Sequence, residues 1–144
     1  MNTIIRILII TALYWSCGSN YDLLDHHEGH YTVQTIKQKK DVYIIYVKNN
    51  GSLFMILSKK QKIVSSDYVK IHCDRRYDFD TQSLLSEPVL SIMKAGVLSS
   101  PNIESVNPLL INYNGVEIKI PTNKGIRNVF EASNLKGLYI KKVQ

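Results

Sequence analysis

The chain carries two apolar stretches interrupted by Asn-Gly dipeptides, and the pattern of polar and apolar positions differs around each. Asn50-Gly51 lies between residues 42–47 (VYIIYV) and 53–57 (LFMIL). Asn and Gly tolerate the positive φ that both centres of a type I′ turn require, so a two-residue hairpin is predicted. Its register sets Asn49 opposite Ser52, Lys48 opposite Leu53, Tyr46 opposite Met55 and Ile44 opposite Leu57. Both faces of this hairpin are apolar, which a sheet tolerates only where both are covered, so the hairpin is expected to lie centrally. Around Asn114-Gly115 the pattern alternates instead. Tyr113 with Val116, Ile111 with Ile118 and Leu109 with Ile120 give one apolar face, while Leu110, Asn112, Glu117 and Lys119 give the other. That is the alternation of an antiparallel hairpin with one face in water.

Further strands are predicted at residues 31–37, 68–73, 77–81 and 138–143. Ser86 is placed to cap a helix over residues 87–95, with Pro88 in the first turn and Gly96 at its end. Residues 125–133 fit a second short helix through Ile126, Val129 and Phe130, or a strand. These elements predict a mainly β fold of the β-rich α+β kind. Its expected form is a small antiparallel barrel or sandwich, OB-like in topology, with one or two short helices. No repeat of domain-building length is present, so residues 31–144 are expected to form one domain.

The amino terminus follows a different logic. Residues 1–6 carry the positive amino terminus and Arg6, residues 7–15 are apolar apart from Thr11, and Ser16-Cys17-Gly18-Ser19-Asn20 follows. This is the tripartite plan of a secretory signal. The apolar run of about nine residues is far below the roughly 20 that a membrane span needs. A cysteine at the end of such a run resembles the modified residue of bacterial lipoprotein precursors, a match confined to residues 1–17. The usual pattern there is Leu, two small residues and Cys. Here Leu13 stands four before Cys17, and Tyr14 and Trp15 occupy positions normally held by smaller groups. The resemblance implies a signal peptide over residues 1–16, a lipidated Cys17 and a tether over residues 17–30 leading to the domain. Gly18 rather than Asp after the cysteine implies no inner-membrane retention, so an anchor on the outer membrane or periplasmic side of a cell envelope is expected. Multiple acyl chains would make such an anchor stable.

Composition adds bounds rather than identity. A chain of 144 residues, 44% hydrophobic and 21% charged, suits one globular core rather than a disordered chain. Two Cys exclude a disulfide-stapled miniprotein. Cys73, flanked by Ile71, His72 and Asp74, is expected on a strand and buried; without lipidation a disulfide from Cys17 to Cys73 becomes available. The formal charge of +6 attracts any polyanion. Extending the first hairpin sets Lys39 opposite Lys62 and Asp41 opposite Lys60. Lys37, Lys39, Lys40, Lys59, Lys60 and Lys62 would then gather at its open end as a candidate polyanion-binding group, or as solvated charges guarding a sheet edge. Lipid headgroups or an anionic envelope polymer fit the address better than nucleic acid, for which no base-stacking motif is present.

Chemistry is sparse. Asp25-His26-His27-Glu28-Gly29-His30 has metal-ligating side chains but reads as a solvated linker, since ordering a mobile segment costs entropy. Tyr31, Tyr43, Tyr46, Tyr68, Tyr77, Tyr113 and Tyr139 fall on predicted strands, where packing accounts for them. Asp74, Asp78 and Asp80 supply carboxylates without an EF-hand's Gly and terminal Glu. No nucleophile elbow, H-E-x-x-H, C-x-x-C, P-loop or dinucleotide fingerprint occurs in the sequence. Neither a catalytic site nor a metal or other cofactor is expected. The leading expectation is an envelope protein acting by binding, in an accessory or structural role. The second is an immunity or inhibitor protein that meets a toxin or hydrolase there, and the third an envelope enzyme using carboxylates of the segment from Asp74 to Asp80.

Overall fold

A computed structural model of the chain describes residues 27–62, 65–86, 88–90 and 109–142. The protein is mainly β, built around a closed five-stranded barrel. Strands β1 (His27–Lys39), β2 (Val42–Asn49) and β3 (Ser52–Lys59) form a meander. The barrel is completed by β5 (Arg76–Ser83) and β8 (Ile126–Ala132), in the order β1-β2-β3-β8-β5 and back to β1. Four of these contacts are antiparallel; β3 and β8 run parallel. A three-strand meander whose third strand meets the last in parallel is an OB-like order. The barrel is therefore not wholly antiparallel, because β8 comes in beside β3 after a long excursion of the chain.

The hairpin register is the one the Asn-Gly turns dictate. Asn49 faces Ser52, and the ladder continues through Tyr46 with Met55 to Val42 with Lys59. Asn50 and Gly51 hold φ of 46° and 78°, and Asn114 and Gly115 hold 51° and 76°, as type I′ geometry asks. Strict alternation along β2 and β3 then divides their side chains between two apolar clusters. Tyr43, Ile45, Val47, Phe54 and Ile56 point into the barrel with Tyr31, Val33, Phe79 and Phe130. Val42, Ile44, Tyr46, Met55 and Leu57 face outward, where β6 (Leu110–Tyr113) and β7 (Val116–Lys119) cover them with Tyr113, Val116 and Ile118. A central hairpin apolar on both faces is thus explained: one face fills the barrel and the other seats the second hairpin. Inside the barrel, Phe54 and Phe130 stack at 5.6 Å between centroids, with Tyr31 edge-on to both. Ile71, Leu135 and Ile140 join the same cluster from or beside a small sheet of β4 (Tyr68–Lys70), β10 (Tyr139–Lys141) and β9 (Leu135–Lys136).

Two bulges shape the barrel. In β1, Val33 faces Val47 but Thr35 faces Tyr46, so Gln34 is an extra residue. The strand bends there, as bulged strands do, and so serves two partners: residues 27–32 pair with β5 and residues 32–39 with β2. In β8, Ile126 faces Leu53 while Val129 faces Met55, which inserts a residue around Arg127 and Asn128. That insertion turns a strand alternation into the 126, 129, 130 spacing of a helix. Residues 126–132 are accordingly a strand, and the helical alternative for residues 125–133 is corrected.

Three other expectations change, and a fourth is seen only in part. The strand set to begin at residue 31 begins at His27, so residues 27–30 of the expected tether belong to the sheet, opposite residues 78–81 of β5. The chain reverses at Lys40-Asp41, where Lys40 takes φ of 52° and its carbonyl accepts from the Gln38 amide at 2.8 Å. Lys39 consequently faces Val42 rather than Lys62. The strand over residues 68–73 stops at Lys70, and Cys73 is exposed on a turn with Asp74 at φ of 61°. Of the helix expected over residues 87–95, residues 88–90 are helical and the Leu90 amide donates to the Ser86 carbonyl at 2.9 Å. Glu87 and residues 91–95 lie outside the described residues, as do Cys17 and the whole of residues 1–26.

Candidate functional site

The bulge in β1 has a chemical consequence. Successive strand residues point to opposite faces, but the extra residue lets both Gln34 and Thr35 line one pocket on the outside of the barrel, with Lys37 two residues on. From β2 come Tyr46 and Lys48, from β3 Leu53, and from the 3-10 turn Thr122–Lys124 comes Lys124. Gly125 closes that turn in the left-handed region at φ 64°, and β8 starts at the next residue. The parallel pairing of Leu53 with Ile126 is what carries Lys124 to Tyr46.

The pocket has a volume of about 380 Å³ and no acidic residue in its lining. Tyr46 is only 8% exposed and forms its floor. The Lys124 ammonium sits 5.2 Å from the ring centroid and the Lys37 ammonium 5.9 Å, both within cation–π reach. Burial pushes the Tyr46 phenol above its ordinary range. No ion pair to Lys37, Lys48 or Lys124 occurs among the described residues. Three lysines therefore line a pocket with an aromatic floor, with no counter-charge beside them among the described residues.

The six lysines singled out from the sequence divide. All are exposed, and Lys37 belongs to this pocket. Lys39, Lys40, Lys59 and Lys60 cluster at the β1–β2 turn, where Lys39 faces Val42, Val42 faces Lys59, and the Lys60 amide donates to Asp41 at 2.6 Å. Lys39 is committed to a structural contact: its ammonium donates to the Glu117 carbonyl of β7 at 2.6 Å. Lys62 follows beyond the end of β3. Sequence reasoning missed Lys48, Lys124 and the role of Tyr46. Lys48 follows the β2 apolar run and was within reach of a register argument, whereas Lys124 had no local signal.

The carboxylates of β5 are tied up in the fold. His30 Nδ1 bonds the Asp78 carboxylate across the β1–β5 ladder, and Ser133 Oγ donates to Asp80. Asn134 ties the same strand down, its amide nitrogen donating to the Asp78 carbonyl at 2.8 Å and its oxygen accepting from the Asp80 amide at 3.0 Å. Serine, histidine and carboxylates thus form two separate pairs. Among the described residues no three His, Cys, Asp or Glu side chains converge as metal ligands. The described tyrosines behave as strand packing: Tyr31, Tyr46 and Tyr113 are buried and Tyr43, Tyr68, Tyr77 and Tyr139 half-buried.

No protein-family model matches the chain, and no curated protein or solved structure does.

Proposed function

We propose that this is an exported, lipid-anchored protein of a bacterial envelope that acts by binding an anionic partner, in an accessory or structural role. The observation that carries the binding half is the gathering of Lys37, Lys48 and Lys124 around the Tyr46 pocket with no ion-pair partner among the described residues. Folded proteins commonly pair or disperse like charges, because clustering them costs self-repulsion that an anionic ligand relieves. The export half is supported by the charged start, short apolar run and Cys17 of the sequence. A closed barrel gives such a protein a rigid platform, and the pairing of Asp78 and Asp80 with neighbouring side chains gives a carboxylate enzyme little support.

The test has two parts. Expressed in a bacterium, the chain should gain acyl mass at Cys17 and pellet with membranes, and Cys17→Ser should abolish both. The Cys17→Ser protein should bind an anionic polymer with an affinity that falls as salt rises. Recovery instead of a stoichiometric complex with one protein, with salt-insensitive affinity and no polymer binding, would replace this reading with the inhibitor one.

A further inference from the structure

We propose that the Tyr46 pocket is a site for a phosphorylated sugar or polyol, with the phosphate held by Lys37, Lys48 and Lys124. The inference rests on the reading above and names the chemistry of its ligand. Charge comes first: a phosphate monoester carries roughly −1.5 to −2 at pH 7, against −1 for a carboxylate, and three lysines line this pocket, two of them with the ammonium over the Tyr46 ring. The type of cation agrees. Planar carboxylates are read best by the bidentate fork of Arg, while Lys meets phosphate as a point charge, and the lining has lysines without arginine.

Size and wall chemistry extend the argument beyond a bare ion. A volume of about 380 Å³ falls within the range of small-molecule sites and exceeds what one oxyanion fills. The Gln34 amide and Thr35 hydroxyl, brought to the same face by the bulge, offer donors and acceptors for ligand hydroxyls. Leu53 and the Tyr46 ring supply the apolar surface that a carbon skeleton covers. A membrane headgroup is the less suitable source of the same phosphate. Interfacial binding couples cations to apolar side chains that enter the bilayer, and the two exposed large hydrophobics of the described residues, Val69 and Leu110, both lie outside this pocket.

The experiment uses the Cys17→Ser chain and calorimetry with four probes: glycerol 3-phosphate, glucuronate, a poly(glycerol phosphate) chain and phosphatidylglycerol vesicles. Two variants carry the same charge change, Lys124→Gln in the pocket and Lys70→Gln on β4, both at exposed positions. Glycerol 3-phosphate should bind more tightly than glucuronate, and Lys124→Gln should weaken it about tenfold, the loss of one charge-assisted contact. Lys70→Gln should leave it within about twofold. Equal losses in the two variants would overturn the pocket in favour of diffuse attraction, and binding to vesicles alone would overturn it in favour of a headgroup. Polymer binding that Lys124→Gln leaves intact would overturn this site while sparing the proposed function. Failure of the wild-type pocket to bind any of the four probes would overturn both.

Discussion

Replacing Tyr113 by Phe removes one oxygen at the joint between the β6–β7 hairpin and the barrel. The ring is 7% exposed and stays in place in the variant, so the outer apolar cluster is preserved. What is lost is the hydrogen bond that the Tyr113 hydroxyl donates to Glu131 Oε1 of β8 at 2.6 Å, together with the weaker contacts of the same oxygen with the Lys59 backbone and the Asn114 side chain. Bonds to charged acceptors contribute about 1.5–3 kcal/mol, but Glu131 is exposed and water replaces its lost donor, so about 1 kcal/mol is expected at neutral pH. The same oxygen makes a second, pH-dependent prediction. Burial, and then the Glu131 hydrogen bond and charge, push the phenol of Tyr113 far above its ordinary value of 10.0. Above pH 10 the unfolded chain releases this proton while the folded chain keeps it, so folded stability falls by about 1.4 kcal/mol per pH unit. The contribution is complete below pH 10 and is lost as pH rises. Tyr113→Phe has no proton to lose here, and the advantage of the wild type should shrink to about zero near pH 11. Urea unfolding of both proteins at pH 7, 9 and 11 tests this, since other alkaline losses are common to the pair. A difference that stays constant from pH 7 to pH 11 would refute the held proton and the tight joint it implies.

Two further outcomes check the architecture. Phe130→Ala empties the middle of the barrel's aromatic stack, where Phe130 is fully buried against Phe54 and Tyr31, and should cost about 3–5 kcal/mol in a denaturant titration; a loss under 1 kcal/mol would mean that the stack is not the core. Cys73, exposed on its turn, should react with Ellman's reagent in the folded Cys17→Ser protein as fast as in denaturant within about an order of magnitude. A thiol that reacts only after unfolding would restore the buried strand position.

Local signals in this chain reached as far as the elements that they touch. Asn50-Gly51 and Asn114-Gly115 encode backbone geometry outright, so the registers of both hairpins follow from the sequence. The two-faced apolar run of β2 and β3 likewise requires covering layers, and the structure supplies them. Reasoning failed where a turn breaks a strand pattern that the sequence otherwise continues. Lys40 enters the left-handed region with no Gly, Asn or Asp in that place, and Asp74 breaks a pattern that alternation would continue. It also failed where a bulge rewrites periodicity, as in β8, whose extra residue imitates helical spacing. The candidate site combines both difficulties. Gln34 and Thr35 share a face only because β1 is bulged, and Lys124 reaches Tyr46 only because β8 lies parallel to β3. A basic charge count signalled attraction to anions without locating it.

The parallel contact of β3 with β8 also governs when this protein can fold. Leu53 must await Ile126, and the ring stays open until residues 126–132 are available to join both β3 and β5. Contacts so distant along the chain make folding slow. Meanwhile the meander of β1, β2 and β3 can form early, but with both apolar faces uncovered and β3 unpaired at its edge. During synthesis the nascent chain is thus sticky rather than prematurely folded, and truncation before Ile126 leaves an open sheet prone to self-association.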